Sequence, residues 1–550
     1  MRRFSLNGLM AALAVPTVCW AAPQGASSSA PNKAQEQAAP PAVAVPGANA
    51  RPSFAPPVAS RVNEKPVSFS ELPEPRQFVT RHAVTIGGKR VKYTATAGET
   101  YITNISGEPT ARFFSFAYVA DAPKASRPVL FVFNGGPGSS SIWLQMGVIG
   151  PKRVVLDNEV NPSNSPPFGY QDNSLSVLDV ADLVFIDPVG TGYSRPVGSA
   201  RQQDFTNVDA DADSVARFIE LWLTKNGRWN APKYLMGESY GTIRAAVLPR
   251  ALMGGPTYTG VMRGITVDGV IIAGTALNSP REQPAPPDAA APNRGLGDAL
   301  PSMAVTAAYH GGIDRAGRTT AQIYEGARAF AAGDYADAVF DFDHGALPAE
   351  RQADLAAKLE SWTGIPAKDW IANRFRAPST GEFLKRVVAS QRLAAGNYDS
   401  RYTLPLDGGM GEPVADDPAM ARYVPGFVAA FHDMLVKDLG VDMPVPYNAI
   451  NFEQNSFVWT YDRVGPPPGE NFAADLAVAM RRTPKLRVLV ASGYYDMVTT
   501  PLAAQKQLAR GRVPIDRITT RNYESGHMLY LGDTAKAFAD DVRAFITSRP

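Results

Sequence analysis

The chain has 550 residues, of which 45% are hydrophobic and 19% charged, so it can bury a large core and has a globular composition. Its formal net charge is +2, falling to about zero without Arg2 and Arg3, which argues against nucleic acid or an anionic membrane as the main partner. Cys19 is the only cysteine, so a chain cleaved after it has no disulfide, no thiol nucleophile and no cysteine-based metal site.

Residues 1–21 predict a bacterial signal peptide. Arg2 and Arg3 form a charged start, and residues 9–18 are an apolar run too short for a comfortable membrane span. Small residues near position 21 predict cleavage there. Residues 22–66 are rich in Ala, Pro, Ser and Gln and predict a disordered linker. We therefore expect a periplasmic or secreted protein with no integral membrane segment.

Strand-like patterns begin after this linker and recur to the end of the chain. Residues 82–86 and 90–95 alternate apolar and polar side chains around Gly87 and Gly88, and so predict a hairpin. Residues 128–133 form a continuous apolar run, typical of a strand buried on both faces. Further strands are predicted at 101–104, 111–118, 182–186, 234–236, 265–273, 486–491 and 518–523, and helices at 208–224, 243–253, 321–332, 348–362, 472–482 and 534–548.

The alternation of strands and helices predicts the fold class. It indicates an α/β protein of the α/β-hydrolase type, with a mostly parallel central sheet covered by helices on both faces. The alternation lapses over residues 279–446, where Pro-rich loops and helix-like stretches without a strong strand predict an inserted helical cap. The core is therefore expected in two parts, 67–278 and 447–550.

A strand-to-helix turn at Ser239 carries the sequence Gly-Glu-Ser-Tyr-Gly. This is the G-x-S-x-G pattern of a nucleophile elbow, in which the two glycines let the strand and helix approach each other closely. The free N–H groups of the helix N-terminus can stabilise negative charge there. Taken alone, the pattern also fits an ordinary turn between a strand and a helix.

Asp496 and His527 follow predicted strands, as Ser239 does. The carboxyl ends of parallel strands lie at one edge of a sheet, and the order Ser, Asp, His is that of α/β hydrolases. A serine hydroxyl needs a neighbouring base, histidine can take and return its proton, and a carboxylate fixes the histidine tautomer. The sequence therefore predicts a catalytic triad.

Other residues compete for these roles. Asp187 is a rival acid that breaks the chain order, and Asp496 alternatively caps a helix that begins near Thr499. The other histidines, none of which follows a late strand of the sheet, are His82, His310, His344 and His432.

A glycine-rich turn at 134–138 follows a buried strand. A phosphate loop is one interpretation, but the turn lacks the Lys-Ser/Thr ending of such loops. The better prediction is an oxyanion hole formed by the backbone N–H groups of Gly136 and Tyr240.

At these residues the chain resembles the serine carboxypeptidase family, peptidase family S10. The resemblance runs from about residue 75 to the C-terminus, weakly across the cap. Four blocks carry it in order and spacing: NGGPGSSS at 134–141 with Gly150 and Pro151, FIDPVGTGYS at 185–194, GESYG at 237–241, and 493–496 with 526–528.

The resemblance implies release of C-terminal residues from peptides through an acyl-enzyme, with no cofactor or metal. It also implies that Asn134, the N–H of Gly135 and a protonated Glu238 bind the substrate's terminal carboxylate. Two carboxyl groups in contact cannot both be ionised, so one of them must keep a proton. Among partners we expect a peptide substrate and no nucleic acid, and a homodimer stays open.

The chain departs from the family pattern around this carboxylate site. Val148 stands where the family usually has a second Glu that pairs with the elbow Glu. Carboxylate binding then shifts to more acid pH, another donor replaces the missing Glu, or the substrate has no free carboxylate. The further departures are Thr242 for Gly, Ser139 for Cys, and Leu529-Tyr530 after His-Met.

Two alternative functions stay open with these departures. One is an esterase or acyltransferase that uses the same triad, because an acyl-enzyme can be released to different nucleophiles. The other is a non-catalytic hydrolase-like binding protein, which the complete triad order argues against.

Overall fold

The computed structural model describes residues 71–121, 126–158, 160–256, 259–279, 295–406, 412–453, 458–463 and 471–548. All of them belong to one compact unit. The predicted signal peptide and linker, residues 1–66, lie outside the described residues.

The described part of the chain contains fourteen strands and thirteen α-helices. The strands are β1 Gln77–Ile86, β2 Lys89–Thr103, β3 Pro109–Ala120, β4 Val129–Phe133, β5 Lys152–Val155, β6 Gly169–Asp172, β7 Asp182–Asp187, β8 Arg195–Pro196, β9 Lys233–Glu238, β10 Gly269–Ala273, β11 Leu393–Ala395, β12 Thr403–Pro405, β13 Arg487–Gly493 and β14 Ile518–Tyr523. The helices are α1 Ile142–Leu144, α2 Val208–Lys225, α3 Tyr240–Met253, α4 Leu300–Tyr309, α5 Thr320–Ala332, α6 Asp334–Asp343, α7 Ala349–Thr363, α8 Ala367–Ala372, α9 Thr380–Val387, α10 Pro418–Lys437, α11 Ala473–Arg482, α12 Pro501–Arg510 and α13 Thr534–Thr547.

One large sheet has the strand order β1-β2-β3-β7-β4-β9-β10-β13-β14, with β8 beside β3. The first strands pair antiparallel, and β3 also runs antiparallel to β7. From β7 to β14 every pair is parallel. The predicted hairpin is confirmed: Gly87 and Gly88 have φ values of +53° and +78°, the region that a two-residue hairpin turn requires.

The strands that carry the site are buried on both faces. Every residue of β4, β7, β9 and β10 is buried, as the continuous apolar runs predict. In β4, Leu130 and Val132 pack with helices α10 and α13, whereas Phe131 and Phe133 pack on the opposite face with α2, α3 and α11. A mostly parallel sheet between two helical layers is the α/β-hydrolase fold, which confirms the predicted fold class.

The region between β10 and β13 is mainly helical. Helices α4 to α9 build a separate apolar cluster around Trp370 and Phe375. Helix α10 also lies in this region, but its Phe427 and Phe431 pack in the cluster on the face of the main sheet. Two short antiparallel pairs, β5 with β6 and β11 with β12, were absent from the sequence prediction. Across the described ranges, no helix combines the length and apolar character that a membrane crossing requires.

Candidate active site

Ser239 lies on a strained turn between β9 and α3. Its φ is +60° and its ψ is −129°, an unusual conformation for a residue other than glycine. Crowding explains the two glycines beside it. A Cβ at Gly237 would lie 2.0 Å from the carbonyl oxygen of Gly241, and a Cβ at Gly241 would lie 2.9 Å from the carbonyl oxygen of Asn134. The turn therefore has the geometry of a nucleophile elbow.

His527 and Asp496 form a buried pair at the same edge of the sheet. His527 Nδ1 lies 2.8 Å from Asp496 Oδ2. The N–H of Ser239 donates to the carbonyl oxygen of Ala273 at 3.0 Å. A Cβ on the next residue, Gly274, would lie 2.8 Å from His527 Cε1. The fold thus brings the three predicted triad residues to neighbouring strand ends.

The Asp496 carboxylate accepts several hydrogen bonds. Its Oδ1 accepts the N–H groups of Val498 and Thr499, each at 2.8 Å. Its Oδ2 accepts the Thr499 hydroxyl as well as contacting His527. Helix α12 starts at Pro501 with Thr500 as its N-cap, so Asp496 does not cap that helix. These contacts hold the carboxylate in one orientation toward the imidazole.

The surroundings of the His527 imidazole change its affinity for a proton. Burial on its own lowers the pKa of His527, but the charge of Asp496 and its hydrogen bond, with a smaller contribution from Glu238, outweigh it and raise the pKa overall. Nε2 is buried and has no hydrogen-bond partner within the described part of the chain.

The rival residues contact other groups. Asp187 ends β7 and accepts the N–H and hydroxyl of Ser141 at 2.9 and 2.8 Å, and burial raises the pKa of Asp187 to about 6. Each of the other histidines contacts a different group: His82 contacts Thr80 Oγ1, and His310 contacts the Ser400 carbonyl. His344 contacts the Phe340 carbonyl, and His432 lies edge-on to the Tyr447 ring.

The glycine-rich turn lies directly against the elbow. A Cβ at Gly135 would come within 2.5 Å of the Tyr240 nitrogen and 2.8 Å of Ser239 Cβ. Gly136 follows with a φ of +103° and is exposed. This turn places the two predicted oxyanion-hole residues on adjoining segments.

A buried ion pair missed by the sequence interpretation supports this turn. Arg244 Nη1 donates to the carbonyl oxygen of Asn134 at 2.8 Å, and its Nε donates to Asp211 Oδ2 at 2.8 Å. Both side chains are buried. The signal in the sequence is one charged residue in the otherwise uncharged start of a helix that follows the elbow.

Glu238 and Asn134, two residues of the predicted carboxylate site, are in contact. Asn134 Nδ2 donates to Glu238 Oε1 at 2.9 Å, and Asn134 Oδ1 accepts the N–H of Leu144 at 3.1 Å. Burial raises the pKa of Glu238 to about 7, against a lowering effect of the hydrogen bonds and of His527. The hydroxyl of Tyr530, which the sequence interpretation did not place at the site, also donates to Glu238 Oε1 at 3.2 Å.

The fold and the site geometry define an α/β hydrolase with a serine at its nucleophile elbow. Residues 91–289 match the family described as "Serine carboxypeptidase". Over that range the chain is similar to the serine carboxypeptidase family, in keeping with the resemblance in its motifs.

Curated relatives align over part of the chain. It is 28% identical to "Serine carboxypeptidase-like 9" of Arabidopsis thaliana over 144 residues, 26% of this chain and 31% of that protein. It is 26% identical to "Pheromone-processing carboxypeptidase KEX1" of Fusarium vanettenii over 213 residues, 34% of this chain and 32% of that protein. The chain therefore spans about a third of the length of these relatives.

The solved structure of a proline iminopeptidase from Mycobacterium smegmatis aligns with 85% of this chain and 97% of its own, at 14% identity and a TM-score of 0.30. The fold assignment rests on the strand order and the helical layers.

Proposed function

We propose that this protein is a serine carboxypeptidase that releases C-terminal residues from peptides through an acyl-enzyme on Ser239. The observation that carries this proposal is the buried Glu238–Asn134 pair next to the strained Ser239. A carboxyl group with a pKa of about 7 is mostly protonated below that pH, so it can donate a hydrogen bond to a peptide's terminal carboxylate. A general esterase has no need of such a group.

Acylation follows from the roles proposed for the triad. Ser239 Oγ attacks the carbonyl carbon of the last peptide bond while His527 Nε2 accepts the hydroxyl proton. Asp496 stabilises the imidazolium through Nδ1, where the two side chains are 2.8 Å apart. The N–H groups of Gly136 and Tyr240 stabilise the negative charge that develops on the carbonyl oxygen.

Collapse of this intermediate breaks the C–N bond. His527 gives its proton to the leaving nitrogen, the terminal residue departs, and the rest of the peptide stays on Ser239 as an ester. A water molecule then attacks the ester carbonyl, with its proton taken by His527 Nε2 and passed back to Ser239 Oγ. None of these steps draws on a cofactor or a metal.

We infer that the substrate's terminal carboxylate binds Glu238, the Asn134 amide and the N–H of Gly135. We also propose that residues 1–21 direct export, so that the enzyme works in the bacterial periplasm or outside the cell on peptides. The near-zero charge of the exported chain supports peptide rather than nucleic-acid partners. A homodimer is the assembly to test by light scattering.

Two measurements test the proposal. Ser239→Ala should lose both turnover and labelling by a serine-directed phosphonate, whereas Ser361→Ala, an exposed serine on α7, should keep both. A blocked dipeptide should be cleaved faster as the free acid than as its amide at pH 6. Equal rates for acid and amide would assign the triad to an esterase or acyltransferase, and the absence of labelling in the unaltered protein would indicate a binding protein.

A further inference from the structure

Val148, which stands where the family pattern usually has a second Glu, is apolar in this chain. Val148 is fully buried and has no polar group to offer Glu238. Beside it, Gly147 lies against the ring of Tyr530, because a Cβ at Gly147 would come within 2.1 Å of Tyr530 Cδ2. The missing side chain at Gly147 leaves the space that the tyrosine ring occupies.

Tyr530 reaches Glu238 from this space. Its ring is 1% exposed, and its hydroxyl donates to Glu238 Oε1 at 3.2 Å. The same oxygen accepts the Asn134 amide at 2.9 Å. The other oxygen, Oε2, is buried and has no hydrogen-bond partner among the described residues. Both donors therefore lie on one side of the carboxyl group.

This one-sided arrangement determines where a proton on Glu238 resides. An oxygen that already accepts two hydrogen bonds is the carbonyl-like oxygen of a neutral carboxyl group, so the proton belongs on Oε2. Oε2–H is then the donor available to a bound carboxylate. The hydrogen bond from the Tyr530 hydroxyl keeps the carboxyl group from rotating and exchanging its two oxygens, so the proton stays on Oε2.

We propose that Tyr530 is a positioning residue that replaces the missing second carboxyl group, holding Glu238 so that Oε2–H faces the substrate's terminal carboxylate. This inference rests on the proposed carboxypeptidase function. Carboxylate recognition then needs one acidic residue, and the proton is held by burial and by hydrogen-bond direction. The sequence left three explanations open for the missing second Glu. This inference favours the one in which another hydrogen-bond donor, here Tyr530, takes its place.

The titratable groups that face Glu238 come from several elements, and burial keeps the tyrosines among them neutral by raising their pKa. These groups are His527 and Asp496 of the triad, Tyr530 beyond β14 and Tyr423 on α10. Burial is the largest influence and raises the pKa of Glu238 to about 7, whereas donation from Tyr530 and Asn134 lowers it. Removing the Tyr530 hydroxyl therefore raises the pKa of Glu238 further.

The test compares Tyr530→Phe with Tyr423→Phe. Tyr423 is an equally buried tyrosine of the same region whose hydroxyl contacts Met420 Sδ instead of Glu238. In Tyr530→Phe, KM for a blocked dipeptide acid should rise roughly five- to tenfold at pH 6, with kcat nearly unchanged. The pH above which KM climbs should move up by about one unit. The amide and ester substrates, and every value for Tyr423→Phe, should stay as in the unaltered protein.

Infrared titration separates this inference from the proposed function. The carboxyl band of Glu238, assigned through its loss in Glu238→Gln, should titrate about one pH unit higher in Tyr530→Phe. If the unaltered protein cleaves acid and amide equally, the carboxypeptidase proposal fails while this band still reports the Tyr530–Glu238 contact. An unmoved band, or an equal loss of acid and ester hydrolysis in Tyr530→Phe, would overturn the role of Tyr530.

Discussion

The backbone N–H of His527 donates a 2.6 Å hydrogen bond to the carbonyl oxygen of Tyr398, a residue of the mainly helical region between β10 and β13. The two rings also meet edge to face, 5.4 Å apart. The neighbouring carbonyl of Asn397 accepts the N–H of Met497, which follows Asp496. One loop of this helical region therefore contacts the segments that carry Asp496 and His527.

Gly526→Ala tests this contact. A Cβ at Gly526 would lie 2.4 Å from the carbonyl oxygen of Tyr398 and from Asp399 Cβ, so the loop must move away from His527. We expect kcat to fall about 100-fold, because a displacement near 1 Å is enough for such a loss. Gly381→Ala on α9, where a Cβ meets nothing within 4 Å, should leave kcat unchanged. A fully active Gly526→Ala variant would show that the loop does not position the imidazole.

Asp496→Asn should lower kcat by roughly 10⁴-fold with little change in KM. The amide cannot accept the Nδ1 proton as the carboxylate does, and it favours the wrong tautomer of His527. Thr499→Val, which removes only one donor to Asp496, should lose about tenfold. Steady-state kinetics on an ester substrate measures kcat and KM for both variants. A loss in Asp496→Asn no larger than that in Thr499→Val would argue for a different acid.

The pH dependence should differ between acid and ester substrates. Catalysis needs neutral His527, whose pKa is raised, so activity on both substrates falls as the pH drops through that value. Binding of an acid also needs protonated Glu238, whose pKa is about 7, so KM for the acid should rise about tenfold per pH unit above it. The ester should show no such rise. Parallel profiles for the two substrates up to pH 9 would contradict this role of Glu238.

The Arg244–Asp211 pair should matter for folding. Both side chains are buried, so Arg244→Met leaves an uncompensated carboxylate and should cost about 3–5 kcal/mol of unfolding free energy. Asp211→Asn combined with Arg244→Met should recover part of that loss. Lys437→Met, which breaks the exposed pair with Asp433, should cost less than about 1 kcal/mol. Urea unfolding measures all three, and equal costs for the buried and exposed pairs would refute this expectation.

Sequence patterns place Ser239, Asp496 and His527 at strand ends because a buried apolar run and its abrupt end are local properties. The structure has Ser239 directly after β9, Asp496 three residues after β13 and His527 four after β14. The Tyr530–Glu238 contact joins side chains 292 positions apart. No local pattern reports which distant side chains meet in a buried site, so that contact becomes visible only in the folded chain.

The sequence prediction placed strand boundaries wrongly where the alternation of apolar and polar residues is interrupted. Residues 101–104 were predicted as a separate strand, but residues 101–103 form the end of the 15-residue β2 and residue 104 lies beyond it. Gly98 breaks the alternation there, and a Cβ at that position would meet the Gln77 side chain at 2.7 Å. Strands of three or four residues, such as β5 and β11, are too short to show a period of two.

Ionised Glu238 lowers the free energy of unfolding at alkaline pH, because its pKa is raised in the folded state. An acid whose pKa rises from 4.5 to about 7 on folding stabilises the protein fully below pH 4.5 and loses that contribution as the pH rises through 7. Glu238→Gln should therefore match the unaltered protein in unfolding free energy at pH 4 and exceed it by roughly 3 kcal/mol at pH 8. Urea unfolding at the two pH values checks this, and a constant difference would contradict it. A directed-evolution library screened for heat resistance at alkaline pH should accordingly discard this carboxyl group early, and only a screen that also demands discrimination between acid and amide should keep it.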